Sequence, residues 1–146
     1  MKYAIEEFIK SKNIAVVGLS RSGKKFGNVA VAELAKRGYR VFAVHPEVEE
    51  IAGTRCFPNL TALEGKVDGA VFCIPPVNVP GVLREAAAIG VKNVWLQQGA
   101  GSPEAIALGK HLNLNLVSGR CILMYAPPVG GFHAWHRAFH RLFARI

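Results

Sequence analysis

Apolar residues in this chain fall into short, nearly continuous runs separated by stretches with a different spacing. The runs occupy residues 13–18, 39–44, 69–74, 93–97 and 112–117. Runs of this length are typical of strands covered on both faces of a parallel sheet. Between them, apolar residues recur three and four positions apart, which predicts amphipathic helices.

The predicted helices carry start and stop signals. Gly38 follows the first stripe and predicts a helix end, whereas Asn78 precedes the second stripe and predicts an N-cap. Ser102-Pro103-Glu104 combines a capping hydroxyl, a first-turn proline and a carboxylate near the positive end of a helix dipole. These signals predict helices that alternate with the strands.

This alternation predicts an α/β fold with a doubly wound, mainly parallel, five-stranded Rossmann-like sheet. The prediction is a single domain over residues 1–146, in which residues 131–146 form a C-terminal amphipathic helix. The stretch from 47 to 63 is less regular. There, Asn59 and Thr61 are candidate caps for a short helical turn near residues 60–64.

Composition narrows the function classes. Of 146 residues, 51% are hydrophobic and 19% are charged, which excludes a disordered chain. The net charge of +8 indicates an anionic partner, which could be nucleic acid, a membrane surface or a phosphorylated small molecule. No apolar run approaches the ~18 residues that span a bilayer. Three widely spaced cysteines without a CxxC pair disfavour a disulfide framework, so we predict a cytoplasmic protein.

Ligands of open parallel sheets bind outside the carboxyl ends of the strands, at the switch point of the strand order. The sequence at four of these ends can be read directly. They are residues 18–25, His45-Pro46, Ile74-Pro75-Pro76 and 97–101.

The first of these loops nearly matches two phosphate-binding motifs. In the dinucleotide fingerprint GxGxxG, the three glycine positions would be Gly18, Ser20 and Gly23, and strand two ends at His45 rather than at a carboxylate. NAD is therefore disfavoured. In the P-loop GxxxxGK[ST], Lys25 replaces the hydroxyl residue that binds magnesium. ATP hydrolysis is disfavoured for that reason.

What remains is a glycine turn, a helix start and an excess of cations at a strand end. Residues 8–32 contain no Asp or Glu but contain five basic residues, Lys10, Lys12, Arg21, Lys24 and Lys25. This combination predicts a phosphate site. The alternative is an ordinary solvated basic loop.

Several segments in this order resemble the small CoA-binding proteins of bacteria and archaea. That family has a Rossmann-like domain related to the N-terminal domain of the succinyl-CoA synthetase alpha subunit. The resembling segments are residues 14–20, 38–41, 44–46, 53–60, 94–99 and 119–121.

The resemblance implies coenzyme A as the ligand. CoA carries a pyrophosphate and a ribose 3′-phosphate. Its site therefore needs more cations than an NAD site and does not need a carboxylate that binds the ribose. On this basis, Gly18, Leu19 and Ser20 are expected to wrap the pyrophosphate. Arg21, Lys24 or Lys25 would neutralise phosphate charge. The adenosine half would lie between His45-Pro46 and Ile74-Pro75, and the pantetheine arm would pass Gln98 and Gly99.

The chain departs from the family pattern in three places. His45 stands where the family usually has Asn, and residues 122–128 replace the usual Glu-His continuation. The tail beyond has no counterpart in that pattern. The chain is also too short to contain the synthetase domain that carries a phosphorylated histidine, so ligase activity by this chain alone is not implied.

The tail supports several interpretations. An apolar stripe predicts packing on the sheet or in a homodimer, whereas Arg137, Arg141 and Arg145 would suit a membrane surface. His136 and His140 have a spacing that can hold a metal, with His133 nearby, but no carboxylate follows Glu104. We predict no metal site.

Other reactive side chains show no catalytic arrangement. Cys73 is predicted to lie in a core strand, and neither Cys56 nor Cys121 has a base beside it in the sequence. Glu33 and Glu85 fall in helical stretches and are predicted to be solvated.

The leading prediction is therefore non-catalytic binding of CoA or an acyl-CoA, with no catalytic residues, no nucleic-acid or membrane partner and a homodimer through the C-terminal helix. The alternatives are a nucleotide-dependent enzyme that uses His45 or a tail histidine, and a basic protein that interacts with nucleic acid or membrane. The sequence does not reveal the acyl group.

Overall fold

The computed structural model describes residues 1–128, so the predicted helix at 131–146 and its histidines and arginines lie outside the described residues. Helices and strands alternate along the described chain. They are α1 (Lys2–Ile9), β1 (Asn13–Val17), α2 (Phe26–Lys36), β2 (Arg40–Val44), β3 (Glu50–Ile51), β4 (Thr54–Phe57), β5 (Gly69–Phe72), α3 (Val79–Ala88), β6 (Asn93–Leu96), α4 (Pro103–His111) and β7 (Asn115–Ser118).

The strands form one sheet in the order β3-β4-β2-β1-β5-β6-β7. Every neighbouring pair is parallel except β3 and β4. The predicted α/β class and mainly parallel sheet are confirmed. From β1 the chain adds β2 on one side and later β5 on the other, so the switch point lies between β1 and β5.

The sheet has seven strands, so the predicted count of five is wrong. The two additional strands are β3 and β4, which form a hairpin within the stretch that the sequence left irregular. Ala52 and Gly53 connect them, with φ values of +49° and +82°. Two successive positive φ values match the turn that suits the twist of a hairpin.

The last predicted strand is also displaced. The sequence predicts a strand over residues 112–117, whereas β7 spans Asn115–Ser118 because Leu112 still caps α4. Asn113 then takes a positive φ of 58°, and the Leu114 N–H donates to the Gly109 carbonyl. This left-handed turn ends the helix and starts the strand later than the apolar run suggests.

Helices cover both faces of the sheet. On one face, α1 and α2 pack against the β1 side chains of Ile14 and Val16. On the other face, α3 and α4 pack in the cluster that contains Ala15 and Val17. Both faces of β1 are therefore buried, which explains its continuous apolar run.

Most of the predicted helix caps and helix ends are confirmed. Gly38 follows α2 with a φ of +96°, and Ser102 Oγ accepts a hydrogen bond from the Ala105 N–H at 3.1 Å. Of the two candidate caps for the 3-10 turn at Thr61–Leu63, Asn59 precedes the N-cap residue Leu60 and accepts from the Ala62 N–H at 3.0 Å, whereas Thr61 lies inside the turn, so its prediction as a cap is wrong. Asn78 stands at the N-cap of α3, but its side chain makes no capping hydrogen bond. Within residues 1–128, no helix has the length and apolar character that crossing a membrane requires.

Candidate functional site at the switch point

Gly18 begins the first loop, directly after β1. Its φ is +113°, and a Cβ atom at this position would overlap the carbonyl oxygen of Cys73, which follows β5. Both the backbone angle and the contact exclude larger residues. The predicted tight turn at Gly18 is thus confirmed, and the turn touches the end of the neighbouring strand across the switch point.

The close approach between the first loop and α2 depends on Gly27. A Cβ atom on Gly27 would overlap the carbonyl oxygen of Gly18 and lie 3.3 Å from the Leu19 nitrogen. Gly23, by contrast, has no neighbouring atom within 4 Å of its Cβ position. In the dinucleotide fingerprint, the third glycine permits close helix packing. Assigning Gly23 to that position is therefore wrong, because Gly27 fills the role.

Asn28 holds the first loop in shape. Its Oδ1 accepts a hydrogen bond from the Ser20 N–H at 2.9 Å, and its Nδ2 donates to the Ser20 carbonyl at 3.0 Å. The Ser20 and Ser22 hydroxyls also lie 2.9 Å apart. Asn28 is not among the residues predicted from the sequence, although a polar side chain in the first turn of a helix that follows a candidate phosphate loop is a usable signal. Since Asn28 occupies the Ser20 N–H, that amide is not free for a ligand.

The three cations predicted to neutralise phosphate are placed differently from one another. Lys25 is the N-cap residue of α2 and lines the cleft beside the loop. Arg21 is exposed and pairs with Glu47, with 2.6 Å between Nη2 and Oε2. Lys24 is exposed and does not line the two clefts described below. Only Lys25 thus combines a charge with a position at both the helix start and the cleft.

His45 is held as part of a turn. Its Nδ1 accepts hydrogen bonds from the N–H groups of Glu47 at 3.1 Å and Val48 at 3.2 Å. An Asn side chain makes the same type of turn through its carbonyl oxygen, which explains how His45 can occupy the position where the resembling family has Asn. Because Nδ1 is an acceptor, the proton of the neutral ring lies on Nε2. His45 therefore stabilises a turn, a role that differs from the acid–base role of the enzyme alternative.

The first cleft, of about 380 Å³, lies between the ends of β1, β2 and β5. It brings together most of the residues predicted for the phosphate and adenosine parts of the ligand. Those residues are Gly18, Leu19, Lys25, His45, Pro46, Ile74 and Pro75. Glu85 also lines it and accepts a hydrogen bond from the Thr61 N–H at 3.0 Å, so the prediction that Glu85 is simply solvated is wrong.

The second cleft, of about 410 Å³, lies between the ends of β5 and β6. Gln98 and Gly99, predicted to line the path of a pantetheine arm, are at its wall together with Phe26. Both clefts share Cys73, Ile74 and Pro75 as lining residues. The predicted residues therefore line two adjoining clefts, except for Ser20, Arg21 and Lys24, which line neither.

Cys121 lines the second cleft, and hydrogen bonds hold the segment around it, residues 120–126. Trp95 Nε1 donates to the Arg120 carbonyl at 2.9 Å, and Gln97 Oε1 accepts from the Ile122 N–H at 3.0 Å. On the other side, Arg37 Nη1 donates to two further backbone carbonyls of this segment at 2.9 and 2.8 Å. Glu33 orients Arg37 through a 3.1 Å ion pair, so this partly solvated carboxylate also has a partner that the sequence did not indicate.

Two of the three cysteines lie at the second cleft. Cys73 comes immediately after β5 and is partly buried, and Cys121 lines the same cleft. Cys73 thus lies one residue beyond the observed core strand, but it packs against the core and its N–H donates to the Val17 carbonyl at 2.7 Å. Burial, and then the neighbouring Cys121, raise the pKa of the Cys73 thiol to about 12. At neutral pH the Cys73 thiol is consequently protonated.

Metal chemistry finds no support in the described chain. Residues 1–128 contain no cluster of three or more His, Cys, Asp or Glu side chains that could hold an ion. The sole aspartate, Asp68, accepts hydrogen bonds from the backbone of Lys12 and Asn13, at the amino end of the sheet. The histidine spacing in the tail lies outside the described residues.

The family model described as a CoA binding domain matches residues 12–127. A solved structure, a conserved hypothetical protein from Pyrococcus furiosus, is 34% identical, with a TM-score of 0.73 over 77% of this chain and 97% of that protein.

Two curated relatives show the same domain in different settings. The uncharacterized protein YneT of Bacillus subtilis is 28% identical over 83% of this chain and 90% of its own length. An ADP-forming acetate–CoA ligase of Methanocaldococcus jannaschii is 29% identical over 62% of this chain, but the match spans only 13% of the ligase. Since the family model covers most of the sequence and both clefts lie within it, the chain belongs to the family of CoA-binding domains.

Proposed function

We propose that this protein binds CoA or an acyl-CoA across the two adjoining clefts and performs no catalysis of its own. The observation that carries the proposal is the continuity of these clefts through Cys73, Ile74 and Pro75. One end of the path is the amino end of α2 with Lys25, and the other is a largely apolar recess at Gln98 and Gly99. CoA has the same polarity, with phosphates at one end and a slender arm at the other.

The phosphate end of the path favours an anion. Helix α2 has no acidic residue in its first turn, so its free N–H groups and its dipole are not neutralised by the chain. Lys25 adds a full charge at the same place. In the proposed complex the pyrophosphate lies against Gly18, Leu19 and the start of α2. Arg21 and Lys24 are exposed, and in the proposed complex they contact the 3′-phosphate on the solvent side of the first loop.

The middle and far parts of the path suit the rest of the molecule. His45-Pro46 and Ile74-Pro75 offer apolar ring and side-chain surface on both sides of the first cleft, which suits an adenine ring. Phe26, Gln98 and Gly99 line the second cleft, which suits the pantetheine arm. The lining supplies no group that identifies the acyl chain.

A thermal-shift series with CoA, dephospho-CoA, NAD and ATP tests this proposal. A ligand at about 100 times its Kd stabilises the folded state by ~2.7 kcal/mol. We expect the largest shift with CoA, a smaller one with dephospho-CoA and none with NAD. An absent response to CoA, or equal responses to all four nucleotides, would contradict the proposal.

Lysine variants locate the binding site. Lys25→Ala should weaken CoA binding, and the Lys24→Ala, Lys25→Ala double variant should also lose the preference for CoA over dephospho-CoA. Lys92→Ala is the matched control, because Lys92 is exposed and immediately precedes β6 at the opposite end of the sheet. Equal losses of affinity in the Lys25 and Lys92 variants would show that total charge, rather than the cleft, attracts the ligand.

A further inference from the structure

Two thiols of this chain lie at one cleft. Cys73 and Cys121 both line the second cleft and are both partly buried. Gln97 connects their neighbours in sequence. Its backbone N–H donates to the Phe72 carbonyl at 3.0 Å, and its side-chain Oε1 accepts from the Ile122 N–H at 3.0 Å. Gln97 is therefore hydrogen-bonded to the residue that precedes Cys73 and to the residue that follows Cys121.

The two thiols also interact electrostatically. Cys121 contributes to the raised pKa of Cys73, after burial, which is the larger cause. Cys56 differs, because it is buried in β4 and its Sγ donates to the Thr54 carbonyl at 3.7 Å. The chain therefore contains one pair of neighbouring cysteines at a cleft and a third cysteine away from it.

The wall of the second cleft limits the chemistry available there. Among residues 1–128, this wall consists of apolar, glycine and glutamine residues in addition to the two cysteines, with no carboxylate, imidazole or ammonium group. Within the described part of the chain, the thiols are consequently the only side chains of this wall that can form a covalent bond with a ligand. This step rests on the proposed function, in which the pantetheine arm brings the sulfur of CoA into the second cleft.

We propose that Cys73 and Cys121 act as a dithiol that exchanges with disulfides of coenzyme A. The thiolate of Cys121 attacks one sulfur of the CoA disulfide, which forms a Cys121–CoA mixed disulfide and releases one CoA thiolate. Cys73 then loses its proton to water and attacks the Cys121 sulfur. The Cys73–Cys121 disulfide forms, the second CoA thiolate leaves, and both released thiolates take up protons. The dithiol is oxidised by two electrons and the CoA disulfide is reduced by two.

The order of the two steps follows from burial. Cys73 has a pKa near 12 and is protonated at neutral pH, so it is a poor first nucleophile. For the same reason the second step should be slower than the first. The mixed disulfide on Cys121 should therefore accumulate before the intramolecular disulfide forms.

The experiment is an anaerobic reaction of the reduced full-length chain with CoA disulfide, followed by intact-mass spectrometry and by assay of released CoA thiol. We expect a transient species heavier by one CoA moiety and a product lighter by two hydrogens. Binding in the cleft raises the local disulfide concentration, so CoA disulfide should react about tenfold or more faster than oxidised glutathione. Equal rates with the two disulfides would overturn the proposal.

Cysteine variants separate the roles. Cys121→Ser should abolish the adduct, Cys73→Ser should stop the reaction at the mixed disulfide, and Cys56→Ser should react like the parent. Cys73→Ala and Cys121→Ala are second versions of the first two, and thermal unfolding establishes that each variant is folded. An adduct that persists without Cys121, or one that forms on Cys56, would contradict the assignment.

Failure of this inference can be distinguished from failure of the proposed function. The Cys73→Ser, Cys121→Ser double variant, titrated with reduced CoA in a calorimeter, reports binding alone. If the variant binds CoA while the parent does not exchange, the dithiol inference is wrong and the proposed function stands. If neither protein binds CoA, the proposed function is wrong, and the preference for CoA disulfide should disappear with it.

Discussion

Gly27 and Asn28 shape the first loop without carrying charge. Gly27 lets α2 approach the Gly18 carbonyl, and Asn28 grips both polar backbone groups of Ser20. Phosphate motifs in a sequence draw attention to glycines and lysines within the loop. Here the residues that fix the loop lie just after it, in the first turn of the helix.

A substitution at Gly27 tests this contact. Gly27→Ala places a methyl group against the Gly18 carbonyl, so we expect a loss of about 1–3 kcal/mol in the free energy of unfolding. CoA binding should weaken with it. Gly81→Ala is the matched control, because Gly81 lies in α3 with open space around its Cβ position. Denaturant unfolding of both variants gives the comparison, and equal stabilities would show that α2 can move aside.

Breaking the Arg21–Glu47 pair should strengthen CoA binding, whereas Gly27→Ala should weaken it. Both side chains are exposed, so breaking the pair should change the free energy of unfolding by less than about 1 kcal/mol. Glu47→Gln removes a carboxylate from the wall of the first cleft and frees Arg21 for a phosphate. We expect CoA affinity to rise about threefold to tenfold at low salt, and less at high salt.

Calorimetric titration of Glu47→Gln at two salt concentrations provides the measurement. Glu49→Gln is the control, since it changes the total charge equally but Glu49 does not line the first cleft. A similar gain in both variants would mean that total charge, and not the released arginine, increases the affinity.

Among the elements, α2 positions two parts of the site. Its amino end faces the first loop, and Arg37 at its carboxyl end donates to the carbonyls of Leu123 and Ala126, in the segment that carries Cys121. One helix thus links the phosphate end of the proposed path with the thiol end.

Removing this arginine should loosen the segment selectively. Arg37→Met retains part of the aliphatic stem but loses both hydrogen bonds, each worth about 1.5–3 kcal/mol when the donor is charged and buried. Since the Arg37 side chain is 22% exposed, we expect a loss near the lower end for the two bonds, about 3 kcal/mol in total. Cys121 should also react faster with a thiol reagent. Arg84→Met, an exposed arginine on α3, should change neither quantity, and unchanged Cys121 reactivity in Arg37→Met would contradict the role of Arg37.

The elements differ in how far the sequence predicts them. The strands β1, β2, β5 and β6 are predicted because burial on both faces produces apolar runs. The hairpin of β3 and β4 is not, because its strands alternate exposed Glu50 and Arg55 with buried Ile51 and Cys56 over very short lengths. Its turn uses Ala52-Gly53 rather than the Asn-Gly pair that signals such turns.

The site, too, is predicted only in part from the sequence. Strand-end positions predicted which residues line the clefts, because parallel topology alone brings those ends together. The pairing of Arg21 with Glu47, the Asn28 hydrogen bonds and the approach of Cys73 to Cys121 join segments of the chain whose side-chain directions no periodicity encodes. Those features required the three-dimensional structure.

On the scale of the whole molecule, burial of a tyrosine hydroxyl and a cysteine thiol predicts that the fold loses stability at alkaline pH. Burial raises the pKa of both Tyr39 and Cys73 to about 12, from ordinary values of 10.0 and 9.0. Because the folded state retains these protons more strongly than the unfolded chain, their contribution is complete below pH 9. It is lost progressively as pH rises from about 9 to about 12.

We therefore expect the melting temperature to fall steeply over this range. Tyr39→Phe and Cys73→Ala should each flatten the decline, and Tyr39→Phe should not destabilise the protein at pH 7, because the buried Tyr39 hydroxyl has no hydrogen-bond partner in the described chain. Thermal unfolding followed by circular dichroism from pH 7 to pH 11 measures the slope. A slope equal to that of the parent in both variants would contradict this origin.

The hydrogen bonds around Ser20 have a kinetic consequence. The chain itself supplies the contacts that shape the first loop, so binding need not order that loop and the associated loss of backbone entropy is small. We expect association with CoA to be a single fast phase whose observed rate rises linearly with ligand concentration. Asn28→Ala should convert this behaviour into one with a slower, saturating step, measurable by stopped-flow fluorescence.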